Sequence, residues 1–376
     1  MTRSPSAPLQ ARLLAAVGLL GCQGAPSASD GDTEVAAATT TAASDSGATT
    51  TGDPDGTSTG VPWEPPPGFE PFPCAAVAPD VGVRLCTEAA DPEAAPDKVF
   101  IDCTLEGVCA GTPAPKEALV VMAYNVERGL SIDAQLAAFA DGTLPNPDVI
   151  LLSEADRGCG RTDGRNVAWE MAQALEMHSV FGVEFTELPR PGDSIPEACE
   201  HGNAILSRYP IGNAELVRHE TNLSWYEDEG EPRLGGRMAI VADIAVGDQL
   251  VHVQSLHFES GFNDGPIRAA QAAELAALGL RAPGPVIIGG DTNAGAYVVD
   301  LINDTHNEGT TEAFFDAGYV DTHAALPHEG RATRAPGLIL DIMFVREATA
   351  SAAGLCPFAE CGELSDHLPV WATITW

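Results

Sequence analysis

Positive charge is scarce in this chain. Its 376 residues include 19 Lys and Arg against 54 Asp and Glu, which gives a formal net charge of −35. A field of that sign repels polyanions at long range, so the composition disfavours a nucleic-acid binder that works by charge alone. A bound divalent cation would reverse the sign locally, and the composition therefore remains compatible with a metal-dependent enzyme.

A long apolar run is also missing. The apolar stretch near the start, residues 13–20, is shorter than the ~20 residues that a membrane-spanning helix needs. Arg3 and Arg12 precede it, and Gly21 and Cys22 follow it directly. The segment resembles a bacterial lipoprotein signal over residues 1–21, with Cys22 as the lipidated first residue, and the alternative is an ordinary secretory signal. We therefore expect an exported protein that is anchored at the outer membrane or cell surface, or is periplasmic or extracellular. Its only membrane contact would be this anchor.

Residues 22–73 are poor in the large apolar side chains that build a core. The stretch is dominated by Ser, Thr, Ala, Gly and Asp and ends in "VPWEPPPGFEPFP". Such a composition buries too little apolar surface to offset the entropy of ordering the chain. It predicts a flexible tether that stiffens before the folded part.

The chain has no CxxC pair. Setting Cys22 apart from the nine cysteines leaves eight, an even number. In an exported protein this favours disulfides over a zinc site. The sequence does not fix the pairing, and the partners we expect are Cys74 with Cys86, Cys103 with Cys109, Cys159 with Cys199, and Cys356 with Cys361.

The rest of the chain has the patterning of a folded domain. Residues 74–116 form a small cysteine-containing lead-in, and regular apolar runs occupy residues 117–376. Runs such as "ALVVMAYNV", "PDVILLSEA" and "GPVIIGGDTNA" predict buried strands, whereas "NVAWEMAQALEM" and "PIRAAQAAELAALGL" have helical spacing. Because strands dominate and helices intervene irregularly, we expect an α/β fold in which two packed sheets are flanked by helices, a four-layer α/β sandwich.

Polar side chains recur where these apolar runs end. They are Asn125, Glu127, Glu154, His257, Asp291, Asn293, Asp341, Asp366 and His367. Strand ends converge in space, so we expect these groups to meet at one edge of the sandwich. Two carboxylates ~4 Å apart repel by about 4 kcal/mol at an effective dielectric constant near 20. A hard cation removes that penalty, and oxygen ligands favour Mg²⁺, or Mn²⁺ or Ca²⁺, over zinc.

The same segments resemble a known motif series. The stretches "AYNVERG", "DVILLSEAD", "GNAILSRYPI", "SLHFES", "IIGGDTNA", "LDIMFV" and "LSDHLPV" are similar, in this order, to the motifs of the endonuclease/exonuclease/phosphatase superfamily. The resemblance extends from about residue 119 to the C-terminus. It implies the DNase I-like fold, with mainly antiparallel sheets, and hydrolysis of phosphoester bonds with a divalent cation.

The resemblance also implies a set of metal ligands. Glu154 matches the principal ligand, and Asn125 would help to hold the metal or the phosphate. Glu127 matches a position where the family often has a second acid, although it would face solvent in the alternative interpretation. Asp366 would be a further ligand or support.

The catalytic roles follow from the same resemblance. Asp291 would position or deprotonate the attacking water, and Asn293 would orient it. His367 would stabilise charge on the phosphoryl oxygen or supply a proton, with Asp341 orienting its ring. His257 would contact the phosphate or the leaving group. The structural alternatives are a plain turn at Asp291 and Asn293, a structural acid at Asp341 and a core histidine at His257.

Three further residues have ambiguous roles. Arg237 either contacts phosphate or pairs with an acid. Asn203 either holds loops in place or contacts phosphate. His201, beside it in "EHGNAIL", is expected at the surface.

The motifs do not identify the substrate, because nucleases, sphingomyelinases and inositol phosphatases share them. We expect the loops at 157–165, 188–200 and 219–234 to select it, with Trp225 and Tyr226 stacking on a base, entering lipid or simply packing. The first hypothesis is a monomeric exported phosphodiesterase or nuclease. The alternatives are a sphingomyelinase-like phospholipase C or inositol-phosphate phosphatase, and a catalytically inactive cell-surface binding module.

Overall fold

The computed structural model describes residues 65–88, 100–189, 197–226, 230–261, 263–297 and 309–376. They belong to one compact unit, Pro62–Trp376. The predicted signal peptide, Cys22 and most of the predicted tether lie outside the described residues. Within the described part, none of the helices has the length and apolar character needed to span a bilayer.

The larger of the two main sheets has eight strands. Its order is β15 (Thr349–Leu355), β16 (Val370–Thr375), β4 (Ala118–Arg128), β5 (Val149–Arg157), β7 (Cys199–Ser207), β6 (His178–Glu187) and β3 (Glu106–Val108), with β9 (Arg233–Gly235) paired to β6. Its pairs are antiparallel except for β4 with β5.

The second main sheet has six strands. Its order is β13 (Val320–Asp321), β14 (Leu338–Arg346), β12 (Val286–Tyr297), β11 (Gln249–His257), β10 (Met238–Val246) and β8 (Ile211–Arg218). Only β11 and β12 run parallel here. The expected mainly antiparallel character of both sheets is confirmed.

Helices cover the outer faces of both sheets. They are α1 (Ile132–Asp141), α2 (Val167–Ala174), α3 (Gly265–Gly279), α4 (Thr310–Asp316) and α5 (Phe358–Cys361). One apolar cluster joins the eight-stranded sheet to α1 and α2, a second fills the space between the sheets, and a third joins the six-stranded sheet to α3 and α4. Three cores between successive layers make the predicted four-layer sandwich, and the fold class is confirmed.

The alternation of side chains along each strand explains why polar groups gather at one end of the core between the two sheets. On β4, Leu119, Val121 and Ala123 lie in the core between the sheets, and Asn125 follows on the same face. On β12, Ile287 lies in this core and Asp291 follows four residues later. The core between the two sheets is therefore apolar along most of its length and polar at the end where Asn125 and Asp291 lie.

The lead-in is attached to the sandwich. Its β1 (Cys86–Glu88) and β2 (Phe100–Cys103) form a separate antiparallel pair, and β3 extends the eight-stranded sheet through β6. The lead-in thus contributes an edge strand to the large sheet.

Strand pairing in the lead-in corrects two of the expected disulfides. Cys86 lies opposite Cys103 with a Cα–Cα distance of 4.0 Å. Cys74 bonds to Cys109, next to the bridge that pairs Ala75 with Val108. The expected pairs Cys74–Cys86 and Cys103–Cys109 are wrong, because sequence proximity does not reveal which strands lie side by side. The pairs Cys159–Cys199 and Cys356–Cys361 are confirmed.

Candidate active site

Asn125 bridges two carboxylates at the polar end of the core between the two sheets. Its Nδ2 donates to Oε1 of Glu154 and to Oδ2 of Asp291, each at 3.1 Å. Asn125 and Asp291 are buried, whereas 20% of the Glu154 side chain is exposed. Burial alone would raise the pKa of Glu154, but His257, His201, Arg128 and His367 together hold it well below its usual range. The Glu154 carboxylate is therefore ionised and partly accessible to solvent.

The strands that carry these groups are irregular at this point. Their pairing registers shift between Asn125 and Arg128 on β4, between Leu152 and Ala155 on β5, and after Asp291 on β12. At these shifts Glu127, Glu154 and Asn293 adopt φ values of 48°, 57° and 48°. A left-handed backbone at such residues costs on the order of 1–3 kcal/mol each. The bulges thus re-aim side chains that regular alternation would send elsewhere.

His367 is held in place by Asp341 and also lies close to Asp291. Its Nδ1 lies 2.8 Å from Oδ2 of Asp341, and its Nε2 lies 3.7 Å from Oδ2 of Asp291. Thr333 fixes the strand behind it, because its Oγ1 accepts from the backbone N–H of Asp341 at 3.1 Å. Burial would lower the pKa of His367, but the carboxylates of Asp341 and Asp291 outweigh it and raise the pKa to about 10. The ring is therefore an imidazolium at neutral pH.

His257 is a second histidine that approaches Asp291, and it also approaches Glu154. Its Nε2 lies 3.8 Å from Oε1 of Glu154 and 3.7 Å from Oδ2 of Asp291. Its Nδ1 faces Oε2 of Glu184 at 3.2 Å and Nη1 of Arg237 at 2.8 Å. Burial would raise the pKa of Glu184, but His257 and Arg237 lower it to about 2. Sequence reasoning missed Glu184, although a carboxylate inside the apolar run "VFGVEFTE" was the available signal.

Arg237 and Asn203 both lie inside the protein. Arg237 is 3% exposed and pairs with Glu184 at 3.2 Å and with Glu259 at 3.8 Å. Asn203 donates to the carbonyl oxygen of Met238 at 3.2 Å, and its Oδ1 has no partner among the described residues. The acid contacts of Arg237 and the backbone contact of Asn203 hold strands together beneath the site.

His201 is buried as well. It is 1% exposed, and its Nδ1 lies 2.9 Å from Oδ1 of Asp156. The expectation that it lies at the surface is wrong, because β7 is an interior strand of the large sheet and both of its faces are covered.

Glu127 and Asp366 form the outer part of the cluster. Oε2 of Glu127 accepts from the backbone N–H of Asp366 at 3.0 Å. The carboxylate of Asp366 lies 2.7 Å from Arg334, with 38% of its side chain exposed. Burial raises the pKa of Glu127, and the Asp366 carboxylate raises it further. Asn293 lies deeper, where its N–H donates to Oδ1 of Asp291 at 2.9 Å.

The donor groups fit a hard divalent cation. Ligand atoms of Glu154, His257 and Asp291 all lie within 4.8 Å of one another. Most of these donors are carboxylate oxygens, which are the ligands that Mg²⁺, Mn²⁺ and Ca²⁺ prefer. Because carboxylates this close repel strongly, a cation among them would stabilise the cluster.

Comparison with known proteins places this geometry in a family. The model of the endonuclease/exonuclease/phosphatase family matches residues 122–367, which include every residue of the cluster. The chain belongs to this family.

Two curated relatives share part of this family domain. The chain is 31% identical over 176 residues to the uncharacterized protein YbhP of Escherichia coli (strain K12) and, to the same extent, to YbhP of Shigella flexneri. The match covers 46% of this chain and 62% of each relative.

A solved structure shares the fold. The endonuclease/exonuclease/phosphatase of Beutenbergia cavernae aligns with a TM-score of 0.52 at 20% identity, over 69% of this chain and 72% of that protein. At that identity the likeness concerns the family architecture and not the substrate.

Proposed function

We propose that this chain is an exported, divalent-metal-dependent phosphodiesterase that cleaves nucleic acid. The observation that carries the proposal is the position of Asp291. One oxygen of this buried carboxylate lies 3.7 Å from Nε2 of both His257 and His367 and accepts from Asn125. A carboxylate fixed between two histidines, beside a second carboxylate that reaches solvent, suits water activation next to a bound phosphate.

Asp291 would take the proton of the attacking water. Its other oxygen is occupied by the backbone N–H of Asn293, which keeps the carboxylate oriented. The Asn293 side chain donates to the carbonyl oxygen of Phe258 at 3.1 Å, which fixes the amide next to Asp291.

His367 would stabilise the charge that develops on the phosphoryl or leaving oxygen. Asp341 holds the Nδ1 side of the ring and leaves Nε2 directed at the cluster. A preorganised cation in a buried site stabilises developing charge more strongly than one in water does. Glu154 and Asn125, with Glu127 and Asp366 nearby, are the residues that would hold the metal ion, which would supply Lewis acidity and neutralise phosphate charge.

A substrate panel tests the proposal. Purified protein is assayed on single- and double-stranded DNA, RNA, sphingomyelin vesicles and inositol phosphates, with Mg²⁺, Mn²⁺ or Ca²⁺ and with EDTA. We expect cation-dependent cleavage of a nucleic acid. Turnover of only the lipid or the inositol phosphate would replace the nuclease proposal, and no turnover with any cation would favour the binding module.

The proposal of export is supported by the disulfides. The eight cysteines of the described residues form four pairs, which is typical of oxidising compartments. Cell fractionation of the full chain and of Cys22→Ala tests the anchor. We expect the wild type in the membrane fraction and the variant in the soluble exported fraction. An unchanged distribution would exclude lipidation at Cys22.

A further inference from the structure

We propose that Trp225 forms a stacking wall for a nucleobase on the His257 side of the active site. The inference rests on the proposed nuclease function and deepens it, because it assigns a residue to recognition of the base rather than of the phosphate. Its support is the way the indole is fixed and its position next to the cluster.

The indole of Trp225 is held on several sides. It packs edge-to-face on Phe185 with ring centroids 5.8 Å apart, and its Nε1 donates to Oε2 of Glu259 at 3.2 Å. The guanidinium carbons of Arg233 and Arg237 lie 5.4 Å and 5.2 Å from the ring centroid. The side chain nevertheless stays partly exposed. A fixed aromatic ring with accessible surface is what a stacking site requires.

The loop that carries Trp225 is anchored as well. Oε1 of the fully buried Glu259 accepts from the N–H of Leu223 at 3.0 Å. Gln271 of α3 donates to the carbonyl oxygen of Thr221 and to Oδ1 of Asn222, each at 3.0 Å. A ring ordered before binding loses little entropy when a ligand stacks on it.

Arg237 connects this ring to the catalytic cluster. The guanidinium that lies over Trp225 also places Nη1 2.8 Å from Nδ1 of His257. One side chain therefore separates the indole from the imidazole that faces Glu154 and Asp291.

The surroundings favour a base over a lipid. An aromatic that enters a membrane needs an apolar approach, whereas the indole N–H is bonded to a carboxylate and charged guanidinium groups lie over the ring. A nucleobase can stack on an exposed ring while the polar edges of the pair stay hydrated.

The test compares two substrates and two variants. Thymidylyl-thymidine is set against the same phosphodiester with both bases replaced by abasic tetrahydrofuran, and kcat/KM is measured with Mn²⁺ for wild type, Trp225→Leu and Trp169→Leu. Trp169, on α2, is also partly exposed and packs on the other side of the large sheet. It therefore controls for the loss of a tryptophan.

We expect wild type to prefer the base-bearing substrate, and Trp225→Leu to reduce that preference by about fivefold to a hundredfold. Trp169→Leu should keep the preference, and Trp225→Phe should restore part of it. Equal loss on both substrates, or no base preference in wild type, would overturn the stacking wall and leave the nuclease proposal standing. A wild type that cleaves neither substrate but hydrolyses sphingomyelin vesicles would overturn both.

Discussion

At the scale of single residues, Glu184 illustrates how the site keeps charge inside the protein. The carboxylate is fully buried and lies 3.2 Å from both Arg237 Nη1 and His257 Nδ1. A buried charge is stable only when it is paired and hydrogen-bonded. Motif comparison identified the residues that would face the metal and the phosphate. It did not identify Glu184, because a residue that acts through His257 and Arg237 has no motif of its own.

The pH dependence of stability tests this arrangement. The folded-state pKa of Glu184 is about 2, below the unfolded value of 4.5. Its contribution is therefore complete above pH 4.5 and disappears as pH falls toward 2. Glu184→Gln should lower the free energy of unfolding by an amount on the order of 3 kcal/mol at pH 6. The difference from wild type should vanish near pH 2 in guanidinium titrations. Glu215→Gln, at an exposed site on β8, is the control, and a pH-independent difference would contradict the pairing.

Replacing Asp291 or His367 should strongly reduce turnover without unfolding the protein. We expect Asp291→Asn and His367→Gln each to lower kcat by about 10²–10⁴-fold, since each removes a proton-handling or charge-stabilising group. His252 pairs with Asp243 at 2.9 Å further back on β11, so His252→Gln is a matched control that should keep its rate. Near-normal turnover in either of the first two variants, with an unchanged melting temperature for all three, would refute the assigned roles.

At the scale of elements, strand pairing explains what the sequence could and could not reveal. The runs on β4, β5 and β12 are apolar up to the polar residues of the site, and the sequence predicts all three strands. The sequence does not predict β6, because Gly182 and Glu184 interrupt the apolar run of "HSVFGVEFTE". The sequence "TASAAGL" of β15 offers no large apolar alternation. Register was beyond sequence reasoning, as the two wrong disulfides show.

At Gly290 on β12, the backbone conformation determines where the next residue, Asp291, is placed. It has φ 145°, and a β-carbon there would collide with the carbonyl oxygen of Leu256 on β11. Gly290→Ala should therefore destabilise the protein by at least about 2 kcal/mol and reduce turnover, because Asp291 follows directly. Gly318→Ala also has positive φ but meets open space, and it should cost about 1 kcal/mol with normal turnover. Chemical denaturation with parallel rate assays distinguishes the two, and equal effects would contradict this explanation.

At the scale of the whole molecule, the layer architecture could be predicted and the distribution of charge could not. The predominance of apolar strands, with helices between them at irregular intervals, predicts the four layers. Composition gave a net charge of −35 but did not reveal that arginines such as Arg157, Arg161 and Arg237 are buried in ion pairs. Cations that are bound inside the protein do not screen acids at the surface, so the exposed carboxylates repel one another.

Salt should therefore stabilise the protein. With EDTA present to exclude divalent cations, raising NaCl from 0.05 M to 0.5 M shortens the screening length to well under 10 Å and weakens this repulsion. We expect the melting temperature measured by calorimetry to rise, and tetramethylammonium chloride to act similarly because screening does not depend on the identity of the cation. A melting temperature that falls with salt would mean that the buried ion pairs outweigh the surface repulsion.

The most direct test of the central claim is turnover of bis(p-nitrophenyl) phosphate by metal-free protein before and after a divalent cation is added. If the cluster around Glu154, Asp291 and His367 holds a catalytic cation, EDTA-treated protein will be inactive and Mn²⁺ or Mg²⁺ will restore turnover. Glu154→Gln will then require far more cation or stay inactive. Turnover that persists unchanged in EDTA, or Glu154→Gln protein that responds to the cation as wild type does, would contradict the account.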